Sequence, residues 1–370
     1  MKAVAVFPAT RRVRLIDHET PRLDSPTDVR LRLLDVGVCG TDREIAAFDY
    51  GTPPAGSDHL VIGHESLGEV VDVGPGVTKV KAGDLVVTMV RRPCNHAECM
   101  ACRAGRQDFC FTGEYSERGI KNLHGFMTAM VVDDERYMHV VPSALRDVGI
   151  LVEPLTIAEK ALIQVDQVQQ RLPWACGIDV SNRRRACHRA VVLGAGPVGL
   201  LGAMALVTAG FETFVYAREP VPNLKSQLCE AIGARYFAAA DTPLEQLAER
   251  VGNVDLVYEA TGASSIAFQM LRYLGTNGIY VFTGVPGRKA PIEVDTDTIM
   301  RNLVLKNQVV FGTVNAGREA FEAAVRDLGA FVEQWPAAVR ALITSRQPVE
   351  AFRDLLVGPS HGIKNVLTFA

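Results

Sequence analysis

The stretch Val191-Val192-Leu193-Gly194-Ala195-Gly196-Pro197-Val198-Gly199 decides the fold. A short β-branched run ends in G-x-G-x-x-G, and an apolar, helix-length segment follows. Gly194 permits a tight turn, Gly196 lets backbone approach a pyrophosphate, and Gly199 allows close packing of helix on strand. The helix start, with Pro197 and Val198 in its first turn, offers free N–H groups to phosphates. A glycine-rich turn that binds nothing is the plainer alternative. Residues 190–211 carry no charge and are long enough to cross a bilayer. The glycines cluster at the front, however, which suits a buried strand, a turn and a helix better than a membrane span.

Outward from this turn, residues 213–217, 254–259 and 278–283 read as further strands, with helical stretches at 199–209 and 243–251 between them. Strands alternating with helices imply βαβ units and a parallel sheet. A β-like run at 304–311 could end that sheet. The first 140 residues differ. Short β-like runs at 3–7, 29–36, 69–73, 85–90 and 127–132, broken by Gly, Pro and Asp, suggest an irregular, mostly β domain. After residue 312 helical segments are expected at 317–328 and 351–356, then a closing strand-like run at 365–369. The run Arg183-Arg184-Arg185 lies in a polar segment, 181–189, that reads as a loop entering the parallel-sheet domain.

The second βαβ strand ends at Ala217. An acidic residue there would accept from the ribose 2′-OH of NAD, whereas Arg218 offers a fork for the 2′-phosphate of NADP. Glu219, next in the chain, could repel that phosphate or accept from a ribose hydroxyl, so NADP is preferred and NAD remains possible.

The chain has 370 residues, 48% of them hydrophobic, and a formal charge of −3. That allows two or three domains with large cores, and it argues against a nucleic-acid partner, which needs a concentrated basic surface. Residues 1–14 lack a signal-peptide pattern, so a cytoplasmic chain is expected. Four of the eight cysteines, Cys94, Cys99, Cys102 and Cys110, are separated by gaps of four, two and seven residues. Four thiolates so close suit a closed tetrahedral zinc site, with two disulfides as the alternative. His96, inside the first gap, could replace one thiolate. Cys39, His64, Glu65 and Glu153 are dispersed, and spacing alone does not join them. Cys176, Cys187 and Cys229 read as ordinary reduced thiols.

In order along the chain, Cys39-Gly40-Thr41-Asp42, Gly63-His64-Glu65, the four-cysteine lobe and the glycine turn resemble the zinc-dependent medium-chain dehydrogenase/reductase superfamily. The segments Gly40-Thr41-Asp42-Arg43-Glu44-Ile45, Arg91-Arg92-Pro93, residues 113–120, Leu123-His124-Gly125-Phe126 and Glu153-Pro154-Leu155 are similar to its glucose (aldose) 1-dehydrogenase branch. The resemblance implies an α/β protein, a Rossmann doubly wound parallel sheet domain inserted in a GroES-like, mostly β catalytic domain. The implied parts are residues 1–187, with a zinc lobe at about 91–112, a nucleotide-binding domain at 188–312, and a segment at 313–370 completing the first. It also implies an active site between the domains.

By the same similarity Cys39 and His64 hold a catalytic zinc, and Glu65 and Glu153 share its remaining protein positions. Glu114 and Asn315 are nominated as partners for sugar hydroxyls, although a loop carboxylate and a turn asparagine are equally ordinary readings. The implied reaction oxidises an aldose at C1 to the lactone, with hydride passing to the nicotinamide and Thr41 carrying the released proton. Polyol, cyclitol, secondary-alcohol and amino-alcohol oxidation are the alternatives. Similar enzymes are dimers or tetramers. Three departures stand out: the first cysteine gap is four residues where two are common, Glu219 stands where a second arginine often follows, and Ile157 replaces an acidic residue of some sugar-oxidising relatives.

Overall fold

The computed structural model describes residues 1–173, 187–287, 291–359 and 361–369. The arginine run 183–185 and Cys176 lie outside them. Two compact units share the chain: 1–156 with 315–332 and 339–370 form one, and 157–314 with 333–338 the other. The first division falls inside the helix Val152–Gln169, well before residue 187, because that helix runs unbroken from Glu153 into the second unit.

The first unit is built on a seven-stranded sheet. Its longest member, Asp28–Val38, pairs antiparallel with Glu65–Val73 on one side and with the closing strand Lys364–Thr368 on the other. The C-terminal segment thus completes a sheet begun near the N-terminus. Alternating Val29, Leu31 and Leu33 point into a core shared with Val70, Phe126 and Leu367, as a half-buried strand requires. A small sheet of Arg91–Arg92, Ser116–Arg118 and Asn122–Leu123 flanks the four-cysteine lobe.

The second unit carries a six-stranded, wholly parallel sheet. Its spatial order is Arg235–Ala238, Glu212–Ala217, Arg189–Leu193, Leu256–Glu259, Ile279–Phe282 and Val309–Gly312, so the third, second and first strands are followed by the fourth, fifth and sixth. This is the doubly wound dinucleotide order, with its topological switch beside Arg189–Leu193. Residues 190–211 form the first strand and the helix Pro197–Thr208, and no helix among the described residues is long and apolar enough to cross a membrane.

One expectation is corrected at the sheet edge. Val304 and Leu305 end the helix Thr296–Leu305, and the strand starts only at Val309, after a turn in which Asn307 takes φ 49°. Apolar, β-branched residues serve a helix terminus and a strand alike, so the run 304–311 hid the boundary.

Candidate active site

At the topological switch, Gly194 adopts φ 101°, and a Cβ there would sit 2.8 Å from Thr261 Cγ2. Gly199 lies so close beneath the turn that a Cβ would come within 2.1 Å of the Gly194 carbonyl oxygen. At Gly196 a Cβ would meet nothing within 4 Å, which leaves room for a ligand to approach the backbone. Gly196 caps the helix Pro197–Thr208 without any side-chain bond, and Pro197 starts it. The remaining first-turn N–H groups are therefore available to an anion. These features are what a dinucleotide pyrophosphate needs.

The first unit gathers a second cluster where three strand ends converge. Cys39 follows the end of Asp28–Val38, Glu65 begins its neighbour, and Lys364 begins the closing strand on the far side. Gly37 lies opposite Glu65, and a Cβ on it would stand 1.9 Å from Glu65 Oε2, so glycine is what lets the carboxylate cross that strand. Cys39 caps the helix Gly40–Ala46: its sulfur accepts from Thr41 N at 3.2 Å, while Cys39 N donates to Asp42 Oδ2 at 2.9 Å. His64 follows Gly63, which takes φ 94°, and its Nε2 lies 3.1 Å from Cys39 Sγ. Its Nδ1 faces buried Asp42 Oδ1 at 3.3 Å, too poorly aligned for a hydrogen bond, although the carboxylate fixes which nitrogen turns to the sulfur.

Ligand atoms of Cys39, His64 and Glu65 all lie within 4.8 Å of one another. Burial disfavours a charged His64, but Cys39 and Asp42 outweigh it and hold the imidazole well above its ordinary range. Sulfur, imidazole and carboxylate gathered this closely fit zinc. Glu65 is not idle: Lys364 Nζ donates to both its oxygens, at 2.7 and 2.6 Å, and both side chains are buried. Glu153, second residue of its helix, lies outside that close group. It nevertheless senses it: burial and Glu65 push its carboxyl up to about 7, against the pull of His64 and Lys364.

In the lobe, Cys94 and Cys102 sulfurs are 3.7 Å apart and those of Cys99 and Cys110 3.8 Å. Tetrahedral vertices about 2.3 Å from a common centre have this separation, and all four thiols are free rather than bridged. Burial drives Cys102 up to about 12, whereas bonds from Thr112 overcome burial and bring Cys110 down to about 6. Four thiols cannot ionise together without a cation, and zinc would remove the conflict. His96 does not join them. Its Nε2 contacts Glu114 Oε2 at 2.7 Å and its Nδ1 contacts Glu98 at 3.2 Å.

Two sugar-binding nominations are thus already engaged within the protein. Glu114 pairs with His96, and Asn315, at φ 58°, donates to buried Glu117 at 3.0 Å. Glu117 in turn pairs with Arg91, whose guanidinium stacks 3.7 Å from the Tyr115 ring centre. Among the leftover cysteines Cys229 is free and buried, but Cys187 is disulfide-bonded, which corrects its reading as a reduced thiol.

Residues 146–369 match the family described as glucose dehydrogenase C-terminus, and residues 25–143 match the alcohol dehydrogenase GroES-like domain. The chain belongs to the glucose dehydrogenase family. Glucose 1-dehydrogenase of Methanocella arvoryzae is 40% identical over 98% of both chains, and that of Thermoproteus tenax 38% over 99% of both. The Haloferax mediterranei glucose dehydrogenase, solved in complex with NADP, Zn and gluconolactone, superposes with TM-score 0.87 at 33% identity, covering 100% of this chain and 99% of that one.

Sequence reasoning missed three residues that the family's fold brings to these sites. Asp42 carried a signal, since an acid three residues after an N-cap matches a capping box. Lys225, which pairs with Glu219 just past the strand Glu212–Ala217, carried only a weak one, as a cation near that strand end. Lys364 carried none, because its partner Glu65 is 299 residues away.

Proposed function

We propose that the protein is a zinc-dependent glucose 1-dehydrogenase that oxidises an aldose at C1 to the lactone and reduces NADP, with NAD as a possible substitute. The observation that carries the reading is the pairing, in one chain, of an open Cys39–His64–carboxylate cluster with a glycine turn at the switch of a doubly wound sheet. The relatives named above, and the ligands in the Haloferax complex, support the same choice.

Cys39, His64 and a carboxylate hold the catalytic zinc, and Cys94, Cys99, Cys102 and Cys110 hold a structural one. When bound, zinc supplies Lewis acidity towards the C1 hydroxyl and the nicotinamide supplies the hydride acceptor. Asp42 orients His64 through Nδ1. Lys364 retains Glu65, so Glu153 is the carboxylate nearer to free exchange with substrate. Thr41, on the turn that begins at Cys39, takes the hydroxyl proton and passes it towards solvent. Glu114, one of whose oxygens is held by His96, and Asn315, which fixes Glu117, are the polar groups offered to the sugar. A cyclitol or other polyol, oxidised by the same zinc and nicotinamide chemistry, is the second reading.

A homodimer or homotetramer is part of the proposal. The strand Val309–Gly312 ends the sheet with one neighbour among the described residues, and Met300, Val304 and Leu305 beside it are exposed. A cytoplasmic setting suits the free thiols of both zinc sites, with the Cys187 disulfide as the point against it. The test is a scan of glucose, galactose, xylose and cyclitols with either nucleotide, followed at the NAD(P)H absorbance band. Aldose-dependent NADPH formation is expected. Turnover of cyclitols alone would move the assignment to the second reading.

A further inference from the structure

Arg218 and Glu219 stand together just past the strand Glu212–Ala217, which lies beside the glycine-turn strand with Tyr216 opposite Leu193. In this fold the adenine ribose sits at that strand end, where a carboxylate favours a free 2′-hydroxyl and a cation favours a 2′-phosphate. The two residues therefore give opposite instructions. Arg218 is exposed and makes no ion pair or side-chain hydrogen bond among the described residues. Glu219, by contrast, is ion-paired with Lys225 and feels Arg218 as well. Its backbone is pinned too, since Tyr236 Oη donates to its carbonyl at 2.9 Å.

Lys225 is the second residue of the helix Leu224–Ala231, whose N-cap is Asn223. A cation in the first turn opposes the helix dipole, so helix stability does not account for a lysine there. Its contact with Glu219 does. Two cations and one anion leave the strand end with a single positive charge, and removing Lys225 would leave it neutral, with the positive charge of Arg218 cancelled by the carboxylate of Glu219.

We propose that Lys225 is a specificity-determining residue of the nucleotide site. Its ammonium neutralises Glu219, so that Arg218 meets a 2′-phosphate, which carries about −1.5 to −2 charge, without a competing carboxylate. The inference rests on the NADP reading above. It explains how a chain with an acid at this position still selects the phosphorylated cofactor.

The experiment measures NADPH and NADH binding to the full-length, zinc-loaded protein by fluorescence titration, for the wild type, Lys225→Met, Glu219→Gln, the double variant and Arg218→Ala. Thermal melts check that each is folded. Lys225→Met should weaken NADPH about tenfold and leave NADH unchanged or tighter, as expected for one charge at a partly solvated site. Glu219→Gln added to Lys225→Met should restore NADPH binding to within about twofold of Glu219→Gln alone, a rescue that a purely structural lysine would not show. Equal weakening of both nucleotides by Lys225→Met, or no rescue in the double variant, overturns the inference. If the wild type prefers NADH and Arg218→Ala changes nothing, the NADP reading itself fails, and this inference with it.

Discussion

Replacing Lys364 by Met tests the convergence of strands at the proposed catalytic centre. The Lys364 and Glu65 side chains are 1% and 2% exposed, and the ammonium bonds both carboxylate oxygens. Burial works against the charge of Lys364, yet Glu65 and then Cys39 raise its pKa above the usual lysine value, so the ammonium keeps its charge. Met fills similar volume but leaves Glu65 buried without its cation. Breaking a buried pair from one side costs roughly 3–5 kcal/mol, because a desolvated charge remains. At 2–4 °C per kcal/mol for a unit of this size, the melting temperature should fall by roughly 6–20 °C.

Scanning calorimetry and urea unfolding would measure the loss, with zinc content determined alongside. Glu65 released from Lys364 can bind metal, so excess zinc should return part of the stability by mass action. Glu65→Gln combined with Lys364→Met should be less damaging than the two single costs added together, since no buried charge is then left unpaired. A loss below about 1 kcal/mol for Lys364→Met, or full additivity in the double variant, would refute the reasoning.

Three further outcomes are expected. His139 stacks on Phe321, and burial, then Arg318 and Lys79, bring its pKa down to about 4. It is neutral in the folded protein while the unfolded chain takes up a proton below about 6.5, so stability should drop by about 2–3 kcal/mol between pH 7 and pH 4.5. Urea unfolding at the two pH values should show this drop shrinking in His139→Phe. Cys39→Ala should abolish turnover and lower zinc from about two ions per chain towards one, whereas Cys102→Ser should lower thermal stability before it affects chemistry; metal analysis and melting curves separate them. Gly199→Ala would place a methyl 2.1 Å from the Gly194 carbonyl oxygen, so the turn must shift, and NADPH affinity should fall at least about tenfold in a binding titration.

Much of the proposed nucleotide site was readable because its constraints are local. A positive φ at Gly194 and the close approach at Gly199 follow from residues within one turn of each other, and only glycine meets them. The lobe was readable for a similar reason: Cys94 to Cys110 are near neighbours in the chain, and tetrahedral thiolate coordination tolerates few spacings. The catalytic cluster was different. Cys39 and His64 were joined by resemblance rather than by spacing, and nothing in the chain announced that Lys364 would occupy Glu65.

Local order misled in places as well. Residues 304–311 looked like one strand until the turn at Asn307 divided them.

By itself, then, the sequence determined the doubly wound fold, the glycine turn and the four-cysteine lobe, since each depends on backbone sterics or residue spacing within a few tens of residues. Only the tertiary structure decided which polar and charged groups pair with one another. Lys364 with Glu65 and Asn315 with Glu117 are paired by strand and loop ends that meet across most of the chain. Even Lys225 with Glu219, six residues apart, is paired by a turn whose shape no residue pattern prescribes.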